Sequence, residues 1–512
     1  TATIEHPGFV GFDSAGGILI SNVSGLAPVP LIRLSPLFAF DVNSLSADAS
    51  VSASPSTPSR FYAANGDIIG LRTGTVVTFT GTTGPRAGQV DYVASGPVAV
   101  KAGRDIVYAG MRSNDAPLEL PGLANPDSPA QGRGNLIVHT HQNDVSVIQA
   151  GRDILYANFE VAGPGTLEIS AGRNLVQDDL ANLTSIGPVV ASDTRPGAGI
   201  VVQAGLGAQG ANYMGLLKKY LDPANLAASG TPLADQGDKV AKTYGAELSA
   251  WLSGRYGFQG SAEEALAYFA ALAPEQQRIF ARQVYFAELR EGGREYNDAN
   301  GPRFGSYLRG RNAIAAMFPQ RGADGQDIGY QGNLLMYGGS GIHTNLGGDI
   351  QVLTPGGAQT YGIEGAAPPS TAGLITRGQG SIDLYALGSI LLGQSRVMTT
   401  FGGDILAWSA EGDINAGRGS KTTVVFTPPR QVYDGIGNMK ISPEVPSTGA
   451  GIATLAPLPE VPPGDIDLIA PLGTIDAGEA GIRVSGNVNI AALRVVNAEN
   501  IQVQGKSSGL PV

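Results

Sequence analysis

Apolar residues fall in short β-branched runs along most of the chain, and each run is led in by Gly and a small or polar residue. This grammar is written as "GDIIGL" at 66–71, "GGDIQVL" at 347–353, "GSIDLYA" at 380–386, "GGDILAW" at 402–408, "GDIDLIA" at 464–470 and "GNVNIAA" at 486–492. Glycine lets the backbone turn with φ > 0, Asp or Asn bonds turn amides, and the β-branched residue opens a strand. One decapeptide is nearly repeated, "KAGRDIVYAG" at 101–110 and "QAGRDILYAN" at 149–158, with a frayed copy "SAGRNLVQDD" at 170–179.

Spacing decides what these corners belong to. Ser381, Ser389, Asp404 and Asp413, and then Asp465, Thr474, Asn487 and Asn500, each precede an apolar run, and every second one recurs after 22 to 26 residues. Two or three short strands within such a period are what one coil of a parallel β-helix requires. The predicted fold is therefore mainly β, a right-handed parallel β-helix, with Ile106, Ile154, Ile405 and Ile466 starting inward-facing strands. The alternative, an antiparallel sandwich, calls for Asn-Gly or Asp-Gly hairpin turns, and here the order is Gly-Asp.

From Tyr213 to about Pro319 the period changes to three and four residues. "MGLLKKYLDP" carries Lys218 and Lys219 in a last helical turn before Asp222 and Pro223 stop it. Ser261 and Glu264 have capping-box spacing, and Pro274 stands near N1 of a helix whose Ile279, Phe280, Val284 and Leu289 form a buried face. About five helices are expected. The organisation is thus a first β-helix part over 1–210, an inserted α-helical subdomain over 211–320 and a second β-helix part over 321–512. Two Pro-rich stretches, 120–132 and 442–464, read as excursions without regular structure, the second extended along the wall.

Composition narrows the function. Only 15% of residues are charged and 42% are hydrophobic, so the chain collapses rather than staying open. A net charge of −11 argues against a nucleic-acid partner. With no cysteine there are no disulfides, thiolate nucleophiles or cysteine metal sites. No apolar run is long enough for a membrane span. The start, "TATIEHPGFV", has neither initiator Met nor signal-peptide pattern, and neither end carries a solenoid-capping pattern, so the native protein is expected to continue beyond at least one of them.

Residues 381–429, "SIDLYALGSILLGQSRVMTTFGGDILAWSAEGDINAGRGSKTTVVFTPP", and 463–505 resemble filamentous-haemagglutinin-like exoproteins of bacterial two-partner secretion, more narrowly a module near their C-terminal end. The resemblance is close over about 330–505 and looser over 100–180, and the helical insertion is taken as part of the module. It implies a large β-helical protein, secreted to the bacterial cell surface through an outer-membrane transporter and commonly adhesive. The secretion domain that the transporter reads, with its Asn-Pro-Asn-Gly-type motif, is not found in these residues; "ANPDS" is the nearest string. The resemblance supplies no catalytic residues.

Candidate chemistry is sparse, and no cofactor pattern is present. A polysaccharide-degrading β-helix needs two carboxylates on one face. The candidates are Asp178 with Asp179 and the corner residues Asp105, Asp153, Asp349, Asp404, Asp413 and Asp465, which more plainly serve their own turns. In "VHTHQND" a strand would place His139 and His141 on one side, with Asp144 near, as a poor metal set. Arg104, Arg152 and Arg173 take equivalent coil positions, either as a ladder for an acidic glycan or as partners of the corner Asp residues. Residues 278–321 hold eight Arg against Glu288, Glu291, Glu295 and Asp298, interleaved with aromatics. Guanidinium forks beside aromatic platforms suit an anionic sugar or a protein surface. Arg294, Arg303, Arg309 and Arg311 with Tyr296 and Tyr307 are accordingly the candidate ligand residues, against the plainer reading of a solvated helix face. The expected function is a non-enzymatic rigid rod that displays a surface for a cell-surface glycan or protein of host or bacterium. The alternatives are a polysaccharide-degrading enzyme and a stalk presenting a toxin domain.

Overall fold

The computed structural model describes residues 2–5, 18–19, 58–71, 97–109, 136–178, 181–187, 193–322, 324–362, 372–419, 430–433, 439–442, 449–456 and 458–510. The coil is a three-faced prism whose faces are parallel ladders. The first face stacks Val98–Ala102, Val145–Ala150, Thr166–Ala171, Gly199–Gln203, Ile350–Thr354, Ile382–Ala386 and Ile405–Ser409 on the opening halves of Ile466–Asp476 and Val488–Val496. The second face stacks shorter strands, among them Ile106–Val107, Ile154–Leu155, Leu175–Gln177, Leu334–Met336, Gln359–Tyr361 and Ile390–Leu392. The third runs from Leu136–Val138 to Ile501–Val503. At the start, Ala2–Glu5 lies antiparallel on Ser59–Ala63, a pairing that the repeat pattern does not contain.

The period follows from what the core demands. Each inward residue of a strand meets its counterpart in the next coil, so Ile200, Ile350, Ile382, Ile405 and Ile466 form one axial column, every member fully buried. Ile68, Ile106, Ile154, Leu175 and Leu334 form a second. The column on the second face is interrupted at Gln359, also fully buried, whose amide donates to the Tyr385 carbonyl and whose carbonyl accepts from the Tyr361 hydroxyl. The four strand-opening Ile residues picked from sequence are all buried, as expected.

Corners are where the Gly residues act. At Gly403 φ is 102° and a Cβ would lie 2.0 Å from the Gly380 carbonyl oxygen of the coil below, so only Gly fits. Strands of the third face end in a buried Thr that the sequence reading overlooked. Thr344, Thr376, Thr399 and Thr454 each donate to the carbonyl of a corner Gly, at 348, 380, 403 and 464 respectively. The signal for it was present, because "GIHT", "GLIT", "RVMT" and "GIAT" all close on Thr.

"GIAT" also corrects the expectation of an irregular stretch over 442–464. Gly451–Thr454 is a regular strand between Arg396–Thr399 and Ile482–Val484. The prolines flank this Pro-free segment instead of interrupting it, so every amide the ladder needs is available. The stretch 120–132 lies outside the described residues.

Among the described residues five α-helices follow the first-face strand Gly199–Gln203 and precede the second-face strand Leu334–Met336. They are α1 (Tyr213–Leu221), α2 (Gly245–Tyr256), α3 (Ala262–Ala270), α4 (Pro274–Asn297) and α5 (Leu308–Met317). Their termini carry the signals read from sequence: Lys218 and Lys219 in the last turn of α1, a complete Ser261–Glu264 capping box on α3 and Pro274 at the start of α4. The helices leave the coil at one corner and lie back over its first face. A truncation inside the axial column tests the coil: Ile405→Ala is expected to destabilise by about 2–5 kcal/mol, whereas Leu391→Ala, at a 37% exposed site, changes stability by less than about 0.5 kcal/mol. Urea unfolding of both variants measures the difference.

Candidate functional site

First-face strands such as "IDLYA" and "ILAWS" are buried at all five positions, because the face that points away from the coil is covered too. Outward residues form columns, as inward ones do. One column is Glu168, Val201, Gln351, Asp383, Leu406, Asp467 and Asn489, one residue per coil. Beside it runs an apolar column of Leu353, Tyr385, Trp408, Ile469 and Ala491. The apolar column packs with α4, α5 and Phe318 in a core of its own, separate from the coil interior. Phe318 stacks on Tyr385 at 5.6 Å, and Tyr285 and Tyr307 meet Tyr385 and Trp408 edge-on.

α4 lies along the coil axis, and its arginines read the polar column. Arg282 donates to Glu168 at 2.9 Å and to Gln351 at 3.1 Å, with Arg278 also beside Glu168. Arg290 bridges Asp383 and Asp404, each at 2.9 Å. Arg294 forks onto Asp467 and reaches Asp465. The match is metric. From Arg278 to Arg294 is about 24 Å at a rise of ~1.5 Å per residue, and the five coil steps from Glu168 to Asp467 cover about 24 Å at ~4.8 Å each. Close approach is secured by two Gly residues: a Cβ on Gly293 would lie 2.5 Å from Ile469, and one on Gly310 2.4 Å from Trp408.

The candidate ligand residues are therefore distributed as follows. Arg294 is bonded to the wall. Arg309 is buried between Glu288 and Glu295, and Arg303 forks onto Glu295. Tyr296 and Tyr307 stack on each other at 4.1 Å. Arg311 is exposed and sits over the Tyr307 ring. The excess positive charge counted along the insertion is answered largely by wall carboxylates that lie far away in sequence.

The other candidates also find their roles. Arg104, Arg152 and Arg173 fork onto Asp67, Asp105 and Asp153, the corner acid of the preceding coil in each case. Corner acids do not cap their own turns, as the sequence reading expected. The Asp67 carboxylate accepts the Asp105 amide, Asp105 that of Asp153, and Asp153 that of Asn174. At the corner before the first face Asp349, Asp404 and Asp465 accept from Ser381, Asp465 and Asn487, and at the corner before the second face Asp413 likewise accepts from Thr474. A parallel stack brings the next coil's amide within reach at every step, which a single turn does not. His139 and His141 do not share a strand face. His139 is fully buried between the Pro164 carbonyl and the Ser146 hydroxyl, while Asp144 caps the Thr140 and His141 amides of a turn and His141 faces solvent. Among the described residues no group of three or more His, Asp or Glu is arranged to hold a metal. Asp179 lies outside the described residues.

Electrostatics differ between corner and wall. The Arg104 and Arg152 guanidinium groups hold the Asp67 and Asp105 carboxyls below the usual range. Under α4, burial pushes the Asp383 carboxyl up to about 6 against the pull of Arg290, with Asp349 adding to the rise. Burial raises Asp467 as well.

A coil whose outer wall is zipped to an axial helix defines a structural solenoid. Residues 402–512 match the model of a family described as "Filamentous haemagglutinin family outer membrane protein". Over these residues the chain is similar to that family, in keeping with its sequence resemblance. No curated protein and no solved structure gives a significant match. No helix among the described residues is long and apolar enough to cross a membrane.

Arg282 and Glu168 are 1% and 3% exposed. Arg282→Ala leaves a buried carboxylate with only the more distant Arg278 beside it and is expected to cost about 3 kcal/mol, whereas Arg282→Met with Glu168→Leu recovers most of the loss. Thermal and urea unfolding compare the two. A pH dependence follows from Asp383. Its folded-state pKa lies above the ordinary carboxylate value, so between about pH 4 and 6 the native chain holds a proton that the unfolded chain releases. Its contribution to stability therefore declines as pH rises through that window, by on the order of 2–3 kcal/mol. Asp383→Asn should remove this slope. Asp67 and Asp105, whose pKa is depressed, contribute fully at neutral pH and lose that contribution as pH falls below the ordinary carboxylate range. Urea midpoints of wild type and Asp383→Asn from pH 3 to 8 check both signs.

Proposed function

We propose that this segment is a stiff, non-enzymatic section of a secreted filamentous adhesin, exported by an outer-membrane partner transporter, in which the helical insertion braces the wall and presents the surface a cell meets. The supporting observation is the file of arginines on α4 bonded to acids at several heights of the coil. A solenoid bends by opening the gap between neighbouring coils, and a helix fixed across that gap at several heights opposes the motion. The corner carboxylates that an enzyme reading would use are bonded to backbone amides of the adjoining coil, which favours scaffold over catalyst. Of the candidate ligand residues, Arg311 retains an exposed guanidinium for an anionic glycan or protein partner. Beads coated with the chain are expected to adhere to epithelial or bacterial cells, several-fold less with Arg311→Glu, and the difference should shrink as salt rises. In single-molecule pulling, Arg290→Ala with Arg294→Ala should lower the force at which the coils separate. Wild-type beads that do not adhere remove the adhesive reading, and an unchanged pulling force removes the brace.

A further inference from the structure

A cavity of about 250 Å³ lies where the turn 139–144, the end of α2 and the first half of α4 meet the wall. Arg195, Arg255 and Arg282 line it. Two of these charges are committed, Arg195 to Asp193 and Arg282 to Glu168. Arg255 has no carboxylate partner among the described residues. Its Nη2 donates to the Gln142 carbonyl, and its Nε is buried without an acceptor. Two further buried polar atoms near this end of the insertion, the Tyr256 hydroxyl and the Asn143 side-chain oxygen, also lack a hydrogen-bond partner. Burial lowers the pKa of Arg255, as a cation withdrawn from water without a counter-ion requires. Folded chains seldom leave such groups unanswered, because each costs free energy that a bound partner restores.

We propose that this cavity binds a small hydroxylated carboxylate, a single sugar ring of the hexuronate type, whose carboxylate takes the guanidinium of Arg255. A planar fork suits a carboxylate better than any neutral group. The remaining lining fits the rest of such a ring: Thr166, Gln283 and Gln351 offer partners to hydroxyls, and Pro164, Val201 and Ile279 offer an apolar wall to its C–H face. Asp349 also lines the cavity, and its carboxylate accepts the Ser381 amide. It serves a ring hydroxyl as acceptor. The volume lies below the roughly 300–1,000 Å³ of sites for drug-sized ligands, which limits the occupant to about one ring. This site is separate from Arg311 and does not depend on the adhesive reading.

Calorimetric titration of the whole chain with D-glucuronate, with D-glucose as the neutral control, tests the proposal. Glucuronate is expected to bind with a Kd of roughly 1 mM or tighter and glucose at least about ten-fold more weakly. Loss of a charged hydrogen bond predicts that Arg255→Gln weakens glucuronate by about ten-fold or more. Arg255 also clasps Gln142, so Arg255→Lys, which keeps the charge and loses the fork, and Ile279→Trp, which fills the cavity, are titrated beside it, each checked for an intact melting transition. Arg255→Lys should bind with intermediate strength and Ile279→Trp should not bind. Absence of binding by the wild type, equal binding of glucose, or undiminished binding by folded Arg255→Gln or Ile279→Trp overturns the proposal.

Discussion

The spacing of hydrogen-bonded parallel strands governs this molecule. Once coils stack at about 4.8 Å, every position meets its own equivalent one coil away, and a side chain is selected for what it does to its copy. Aliphatic residues inside become columns. A corner carboxylate becomes the cap of the next coil's amide, and the Arg of that coil returns to neutralise it. A Thr at the end of a third-face strand holds the corner Gly that follows it. The helix obeys the same ruler from outside, since four residues of α4 rise about 6 Å and keep pace with little more than one coil.

This regularity explains what was legible in the sequence. Gly-Asp-Ile and its variants mark a corner, a bonded amide and an inward residue together, so period, fold and buried Ile positions could be read without knowing which coil touches which. Helix termini were legible for the same reason, because a cap such as Ser261 with Glu264 is a local contract between residues three apart. Relations across the wall were hidden. Nothing near Arg290 indicates that its partners are Asp383 and Asp404, and Asp383 looks in sequence like an ordinary solvent-facing residue of an alternating strand. The full burial of "IDLYA" had a trace in the sequence: Tyr385, Trp408 and Ile469 occupy outward positions where a solvated face would carry polar residues. The histidines misled because "VHTHQND" alternates like a strand yet is a turn closed by Asp144.

The two layers also differ in kind. The coil interior is apolar and built from neighbours one period apart, whereas the space between wall and helices mixes aromatics with buried ion pairs such as Arg290 with Asp383 and Arg282 with Glu168. Paired charges contribute little net stability when they replace well-packed apolar groups, and much when one partner is lost. They therefore set the height at which α4 sits on the wall, while the apolar column beside them supplies the adhesion between layers.

The place where the helices leave the coil has a temporal consequence. Their chain departs after Gln203, yet α4 bonds to Asp467 and Asn297 to Asn489, 173 and 192 residues further along. Such separations are the slow part of folding, since loop-closure entropy is lost before the contacts that offset it exist. As the chain emerges from its N-terminal side, the insertion is complete while most of the surface it covers has not yet appeared. Tyr285, Tyr307 and the Gly293 stretch of α4 must wait uncovered until the coils bearing Tyr385, Trp408 and Ile469, which they meet, have been laid down. The last coils therefore do more than lengthen the stack: their arrival closes a hydrophobic surface left open for nearly two hundred residues of synthesis.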